Sequence, residues 1–259
     1  MTITRFKAFI TGGTGQVGTE LIRRGDCYRF DIVAPNRAEI NLLNESDVYS
    51  QLNSIRPDIV VNSAAFTAVD AAETECDTAF KINRDAVRIM ANSCNLLCIP
   101  LIHISTDYVF DGTKAESYKE TDLICPIGVY GRSKEAGEAI VRELLEKHII
   151  LRTSWVYAAH GNNFVKTMLR IGRERQNLNV VNDQFGAPTF AGDIADAIFS
   201  IAKKVLGHDE LEFWGTYHYT AKGRTTWKDF AEVIFEMAST WIPNKPCVEG
   251  IPSSQYPTA

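Results

Sequence analysis

The sequence predicts a doubly wound parallel α/β sheet with a smaller mixed α/β region at the sheet's carboxyl edge. Three observations predict it. Short apolar runs alternate with helical stretches from Phe6 to Thr153, the alternation of a βαβ chain. The runs are nearly continuous rather than every second residue, as expected of strands buried on both faces. Right-handed crossovers then lay helices over both sides. Finally, a glycine-rich turn lies directly after the first run.

The elements follow in order. Phe6–Thr11 reads as a buried strand that stops at glycines, and a helical pattern runs from about Gln16 to Arg24. Phe30–Ala34 is the second strand. Asn44-Glu45-Ser46-Asp47 is the capped start of a helix reaching about Ile55. Pro57–Asn62 is the third strand, and a long helical stretch from about Asp70 to Asn95 carries a break near Cys76. Pro100–Ser105 is the fourth strand, a polar loop covers Asp111–Pro126, and a helix from Tyr130 continues to about Lys147. His148–Thr153 is the fifth strand. Beyond about residue 180 the pattern holds short strands and two helices near 193–205 and 226–240. The expected division is therefore 1–180 and 181–259, with a soft boundary and interleaved elements.

Bulk composition narrows the function classes. With 259 residues, 45% hydrophobic and 23% charged, the chain is an ordinary globular one. A net charge of −5 argues against nucleic acid as the main partner. The polar start predicts no signal peptide, and no apolar run approaches the roughly 20 residues a bilayer span needs. Six scattered cysteines do not make a disulfide framework in a chain this long. Cys94 and Cys98 are expected to be reduced packing residues, and the compartment cytoplasmic.

The glycine turn, Gly12-Gly13-Thr14-Gly15-Gln16-Val17-Gly18, opens the first helix. Glycines there permit a tight turn and a close approach of backbone to a pyrophosphate, and the helix amino terminus offers free amides to it. This is the arrangement of a Rossmann dinucleotide site. Ribose choice is read at the end of the second strand, where the chain runs Ala34-Pro35-Asn36-Arg37. Asp31 sits too early in the strand for the 2′-hydroxyl of NAD. Asn36 would not repel a 2′-phosphate and Arg37 would pair with one, so the reading leans to NADPH with NADH left open. Asn62-Ser63-Ala64-Ala65, at the end of the third strand, leaves room for the nucleotide.

Tyr130 and Lys134 lie four residues apart at the start of a helix, which sets them on one face. A cation beside a phenol lowers its pKa, and such a pair suits proton donation to a carbonyl under reduction. The fourth strand ends Ser105-Thr106-Asp107-Tyr108, placing a hydroxyl at the same sheet edge.

Together the glycine turn, the Asn-x-Ala-Ala end, Ser105–Gly112 and Tyr130-x-x-x-Lys134 resemble the extended short-chain dehydrogenase/reductases. The resemblance narrows to the dTDP-4-dehydrorhamnose reductases at Ala65–Glu73, at Arg152-Thr153-Ser154-Trp155-Val156-Tyr157, at Asn162-Asn163-Phe164 and at Asp183–Thr189. It covers nearly the whole chain. It implies NAD(P)H-dependent reduction of the C4 carbonyl of dTDP-4-dehydro-L-rhamnose, in the synthesis of surface-polysaccharide precursors. It gives Thr106, Tyr130 and Lys134 to catalysis, with Thr106 on the carbonyl and Tyr130 as proton donor. Thr106, Asp107 and Trp155 are the implied substrate contacts. Gly12, Gly15, Gln16, Val17, Ala64 and Ala65, with Asn36 and Arg37, are the expected cofactor residues. The implied protein is a monomer or homodimer.

Two departures stand out. Pro188-Thr189-Phe190-Ala191-Gly192 lacks the glutamate that joins a metal-bridged dimer in some members, so no metal is expected. Family chains also continue past a Tyr-Pro-Thr like Tyr256-Pro257-Thr258, so the smaller domain is expected to be incomplete at its C-terminus. Two other readings stay open. One is a reductase of another nucleotide-linked 4-keto sugar. The other is a non-catalytic regulatory subunit resembling that of methionine adenosyltransferase.

Overall fold

The computed structural model describes residues 5–207, 213–241 and 245–256. Up to Thr153 the elements are β1 (Phe6–Thr11), α1 (Gln16–Arg24), β2 (Phe30–Val33), α2 (Glu45–Ile55), β3 (Ile59–Asn62), α3 (Val69–Thr74), α4 (Cys76–Phe80), α5 (Ala86–Leu97), β4 (Leu101–Thr106), α6 (Val129–Leu144) and β5 (His148–Thr153). There follow β6 (Val156–Tyr157), α7 (Phe164–Ile171), β7 (Asn177–Val181), β8 (Phe185–Gly186), β9 (Thr189–Phe190), α8 (Ala191–Gly207), β10 (Gly215–His218), β11 (Thr225–Thr226), α9 (Trp227–Met237) and β12 (Cys247–Ile251).

The main sheet has the order β2-β1-β3-β4-β5-β10, and every neighbouring pair is parallel. The strand order reverses between β1 and β3, which makes the carboxyl ends of those two strands the crevice where such sheets bind ligands. Phe9, Val60, Leu101 and Ile150 of the sheet pack with Leu52 and Met90 of the helices in one core. Burial on both faces explains why these strands read as unbroken apolar runs. The Asn44 side chain caps α2, accepting from the Asp47 amide at 3.2 Å.

The long stretch after β3 is not one helix. Glu75 leaves helical geometry at φ −108°, ψ 40°, separating α3 from α4. A π-turn at Lys81–Asp85 then joins α4 to α5. Such turns insert an extra residue and recur at functional sites.

Two compact units form, one within Met1–Thr153 and Gly192–Tyr219, the other within Ser154–Ala191 and Thr220–Ala259. The division expected near 180, soft and with interleaved elements, takes this form here. Its cause is packing: α8 buries Ala191, Ile194, Ala195 and Ile198. Its Phe199 stacks on Tyr28 at 5.0 Å and tilts against Phe30 at 5.1 Å, while Asp196 pairs with Arg24 at 2.8 Å. β10 then adds the sixth strand beside β5. Neither attachment leaves a local mark in the sequence.

In the second unit, α7 and α9 cover the parallel pair β7–β12 through Met168, Leu178, Val180, Ile234 and Phe235. Cys94 is buried as expected, but Cys98 is exposed and ends α5 in a left-handed conformation at φ 56°. No helix among the described residues is long and apolar enough to cross a membrane. Among the same residues no group of three or more His, Cys, Asp or Glu is arranged to hold a metal ion.

Candidate active site

The turn after β1 packs against the end of β3. Gly12 has φ +70°, and a Cβ there would stand 2.6 Å from the Ala64 amide nitrogen and 2.7 Å from the Ser63 carbonyl carbon. Only glycine fits both the conformation and the space. The Gly15 amide closes the turn on the Gly12 carbonyl at 2.9 Å. α1 then starts without a side-chain cap and without an acidic residue in its first turn. An open helix amino terminus beside a side-chain-free turn fits the pyrophosphate of a dinucleotide. Thr11 donates to the Asn62 Oδ1 at 2.6 Å, tying the two strand ends together. Gly12, Gly15 and Ala64 are thus brought together. Val17 is buried, so its side chain faces the interior, and Ala65 is half-buried.

Past β2, Asn36 and Arg37 are exposed. The Asn36 Oδ1 accepts from the Ala38 amide at 2.8 Å, and the Asn36 amide donates to the Glu39 carboxylate at 2.8 Å. The Asn36 side chain is therefore engaged in its own turn. Asp31 pairs with Arg5 at 2.8 Å near the start of β2.

At the end of β4, the Thr106 hydroxyl accepts from the Tyr108 amide at 3.2 Å and donates to Asp107 Oδ1 at 3.1 Å. α6 brings Tyr130 to this strand end, where the Thr106 hydroxyl acts on the phenol. The edge of the Tyr108 ring meets Tyr130 at 5.5 Å and 75°. Lys134, one turn further on, is 2% exposed and donates to the Ile104 carbonyl at 2.7 Å.

Burial pushes the Tyr130 phenol above its ordinary range; the Thr106 hydroxyl pulls it partly back, and Asp107 and Tyr108 push it further up. The lowering expected from a neighbouring lysine is therefore absent. Lys134 is not among the groups acting on Tyr130, because its ammonium is directed to a backbone carbonyl and desolvation dominates. At neutral pH Tyr130 keeps its proton, the form a donor requires. Burial lowers Lys134 to about 8, with the Glu138 carboxylate acting in the other direction. Burial also lifts the half-buried Asp107 carboxyl to about 6, against hydrogen bonds from Thr106 and from the Asp107 and Tyr108 amides.

Four positioning residues escape a reading of motifs. The Glu73 carboxylate accepts from the Val129 amide at 2.6 Å, supplying the cap that Gly128 lacks. Asn83, fully buried in the π-turn, donates to Ser133 at 2.9 Å and grips both the amide and carbonyl of Phe66 at 2.8 and 3.0 Å. Ser133 in turn donates to the Tyr130 carbonyl at 2.8 Å. A side chain at Gly131 would collide with the Tyr108 carbonyl. Only that glycine, inside the first turn of a helix where glycine is unfavourable, left a signal.

Trp155 belongs to the second unit. Its backbone holds the left-handed φ of 46°, uncommon for a large side chain. Its ring lies against Gly186 and stacks on Trp227 at 3.5 Å and 11°. Trp227 Nε1 donates to Gln184 at 3.2 Å. The two segments around Trp155 and Gln184 therefore meet in one aromatic cluster.

Comparison with known proteins follows this geometry. A family model described as RmlD substrate binding domain matches residues 6–259. The dTDP-4-dehydrorhamnose reductase of Aggregatibacter actinomycetemcomitans is 42% identical over 255 residues, 97% of this chain and 86% of that one. That of Escherichia coli (strain K12) is 45% identical over 255 residues, 95% and 84% of the two chains. The crystal structure of the Bacillus anthracis str. Ames dTDP-4-dehydrorhamnose reductase, in complex with NADP, superimposes with a TM-score of 0.89 at 38% identity, covering 99% of this chain and 87% of that one.

Proposed function

The chain belongs to the RmlD substrate binding domain family, and from that membership we propose that it is a dTDP-4-dehydrorhamnose reductase working with NADPH. It is an oxidoreductase that converts dTDP-4-dehydro-L-rhamnose to dTDP-L-rhamnose by reducing the C4 carbonyl. The observation that carries this reading is one cluster: a protonated, buried Tyr130 beside Thr106, at the same sheet edge as the Gly12 turn.

The Gly12–Gly15 turn and the open start of α1 would hold the cofactor pyrophosphate, with the Ala64 backbone behind it. Gln16, Val17 and Ala65 would complete the lining. When bound, the reduced nicotinamide supplies hydride to C4. Thr106 would turn its one hydroxyl proton from Asp107 to the C4 oxygen, and Tyr130 would give that oxygen its proton as negative charge develops there. Lys134, charged, would steady the ribose side of the site. Asp107 would contact the sugar. The reading carries with it a nucleotide-sugar substrate, a cytoplasmic location and a monomer or homodimer, which light scattering on the purified protein would decide.

The test is oxidation of NADPH or NADH by the purified protein with dTDP-4-keto-6-deoxyglucose and its 3,5-epimerase. Turnover is expected, and Tyr130→Phe should reduce it by about 10²- to 10⁴-fold, the usual contribution of a placed general acid. No turnover with either cofactor sinks the reductase reading and favours the non-catalytic one.

A further inference from the structure

Arg152 opens the Arg-Thr-Ser-Trp-Val-Tyr segment, and no step of the reduction uses it. Its side chain is 3% exposed and runs from β5 to α6. There it makes a two-pronged pair with Glu138: Nε to Oε1 at 2.9 Å and Nη2 to Oε2 at 2.7 Å. Glu138 is wholly buried, and Arg142 adds a bond to its Oε2 at 2.8 Å. Glu138 stands one helical turn beyond Lys134, as Lys134 stands one turn beyond Tyr130. Proton donor, ammonium and carboxylate thus form a single ladder on one face of α6.

We propose that the Glu138–Arg152 pair sets the charge state of Lys134, the carboxylate holding the ammonium charged and Arg152 limiting how much of its field reaches it. Glu138 and Arg152 are positioning residues for the reaction, and the inference rests on the reading of Lys134 given above.

The surroundings support it. A buried ammonium without a counter-charge loses its proton. On α6, Tyr130 is neutral and Glu138 is the negative charge acting on Lys134. Burial pushes the Glu138 carboxyl up, but Arg152, Ser105 and Arg142 bring it below the ordinary carboxylate range, so it is ionised. On β4, His103 is held neutral by burial and by the charge of Lys134, with His148 acting in the same direction. Its Nδ1 is 3.1 Å from the Asn62 amide nitrogen. On β10, the His218 Nε2 is 3.4 Å from Arg152, burial keeps that ring below its ordinary value, and Glu120 bonds the His218 amide at 2.9 Å.

The test follows Lys134 directly, by the Cε resonance of ¹³C-lysine-labelled protein through a pH titration, beside the pH profile of kcat/KM. Glu138→Gln keeps the shape and removes the charge, so the Lys134 titration and the alkaline limb should both fall by about one pH unit. Arg152→Gln removes the cation while Arg142 and Ser105 still hold Glu138 ionised at the pH where Lys134 titrates, so both should move upward. Should Arg152→Gln not fold, Arg142→Gln, which leaves the two-pronged pair intact, should move both upward by less. Opposite displacements do not arise from general loosening. Displacements of one sign, or none, overturn the proposal. A Lys134 titration that moves as stated in a protein without turnover upholds the pair and defeats the functional reading instead.

Discussion

At the scale of single residues, burial decides the charge states. Asp107 shows the consequence. Its carboxyl holds a proton to about pH 6 in the folded protein, whereas the unfolded chain loses it near 3.9. The stability this contributes is complete below the unfolded value and is lost as pH rises through about 6. Asp107→Asn should therefore raise the melting temperature at pH 7.5 by several degrees and leave it unchanged near pH 3.5, while lowering kcat/KM. Thermal unfolding at the two pH values checks this; equal changes at both would remove the desolvation argument. Arg37 is a simpler case, exposed beyond β2. If it pairs with a 2′-phosphate, Arg37→Ala should raise KM for NADPH by about tenfold, the size of one charge-assisted hydrogen bond, and leave KM for NADH near its starting value. Parallel changes would return Arg37 to the solvated surface.

At the scale of elements, α6 is placed by its neighbours. It starts at Gly128 with no cap of its own, and α3 lends it Glu73. The π-turn lends Asn83, which anchors Ser133 and the loop at Phe66 together. Glu73→Ala leaves the Val129 amide without its partner, which costs about 1 kcal/mol and should lower the melting temperature by roughly 3 °C. Because Tyr130 is the next residue, kcat should fall further than KM for the cofactor rises. Steady-state kinetics at saturating cofactor separate the two, and an unchanged kcat would show that α6 holds its place without the cap.

At the scale of the whole molecule, the first unit carries the glycine turn, Thr106, Tyr130 and Lys134, and the second carries Trp155. NADPH at about a hundred times its Kd should stabilise the folded protein by about 2.7 kcal/mol, visible as a melting temperature several degrees higher. Gly12→Ala should abolish that rise, because its Cβ would meet the Ala64 backbone at 2.6 Å. A full rise in the variant would place the dinucleotide elsewhere.

By itself the sequence determined the parallel sheet, the glycine turn at its edge and the residue types for carbonyl reduction. Those signals are local: apolar runs from Phe9 to Ile150, glycines spaced within one turn, and a tyrosine and lysine one helical turn apart. Tertiary structure alone decided that 192–219 returns to the first unit, since β10 pairs with β5 across a long intervening segment. It also decided that Glu73 and Asn83 hold α6, and that Arg152 meets Glu138. Each of these joins side chains from separate elements, and the contact exists only once both are packed. The same cause reversed the shift expected at Tyr130, because desolvation depends on what surrounds a phenol in space.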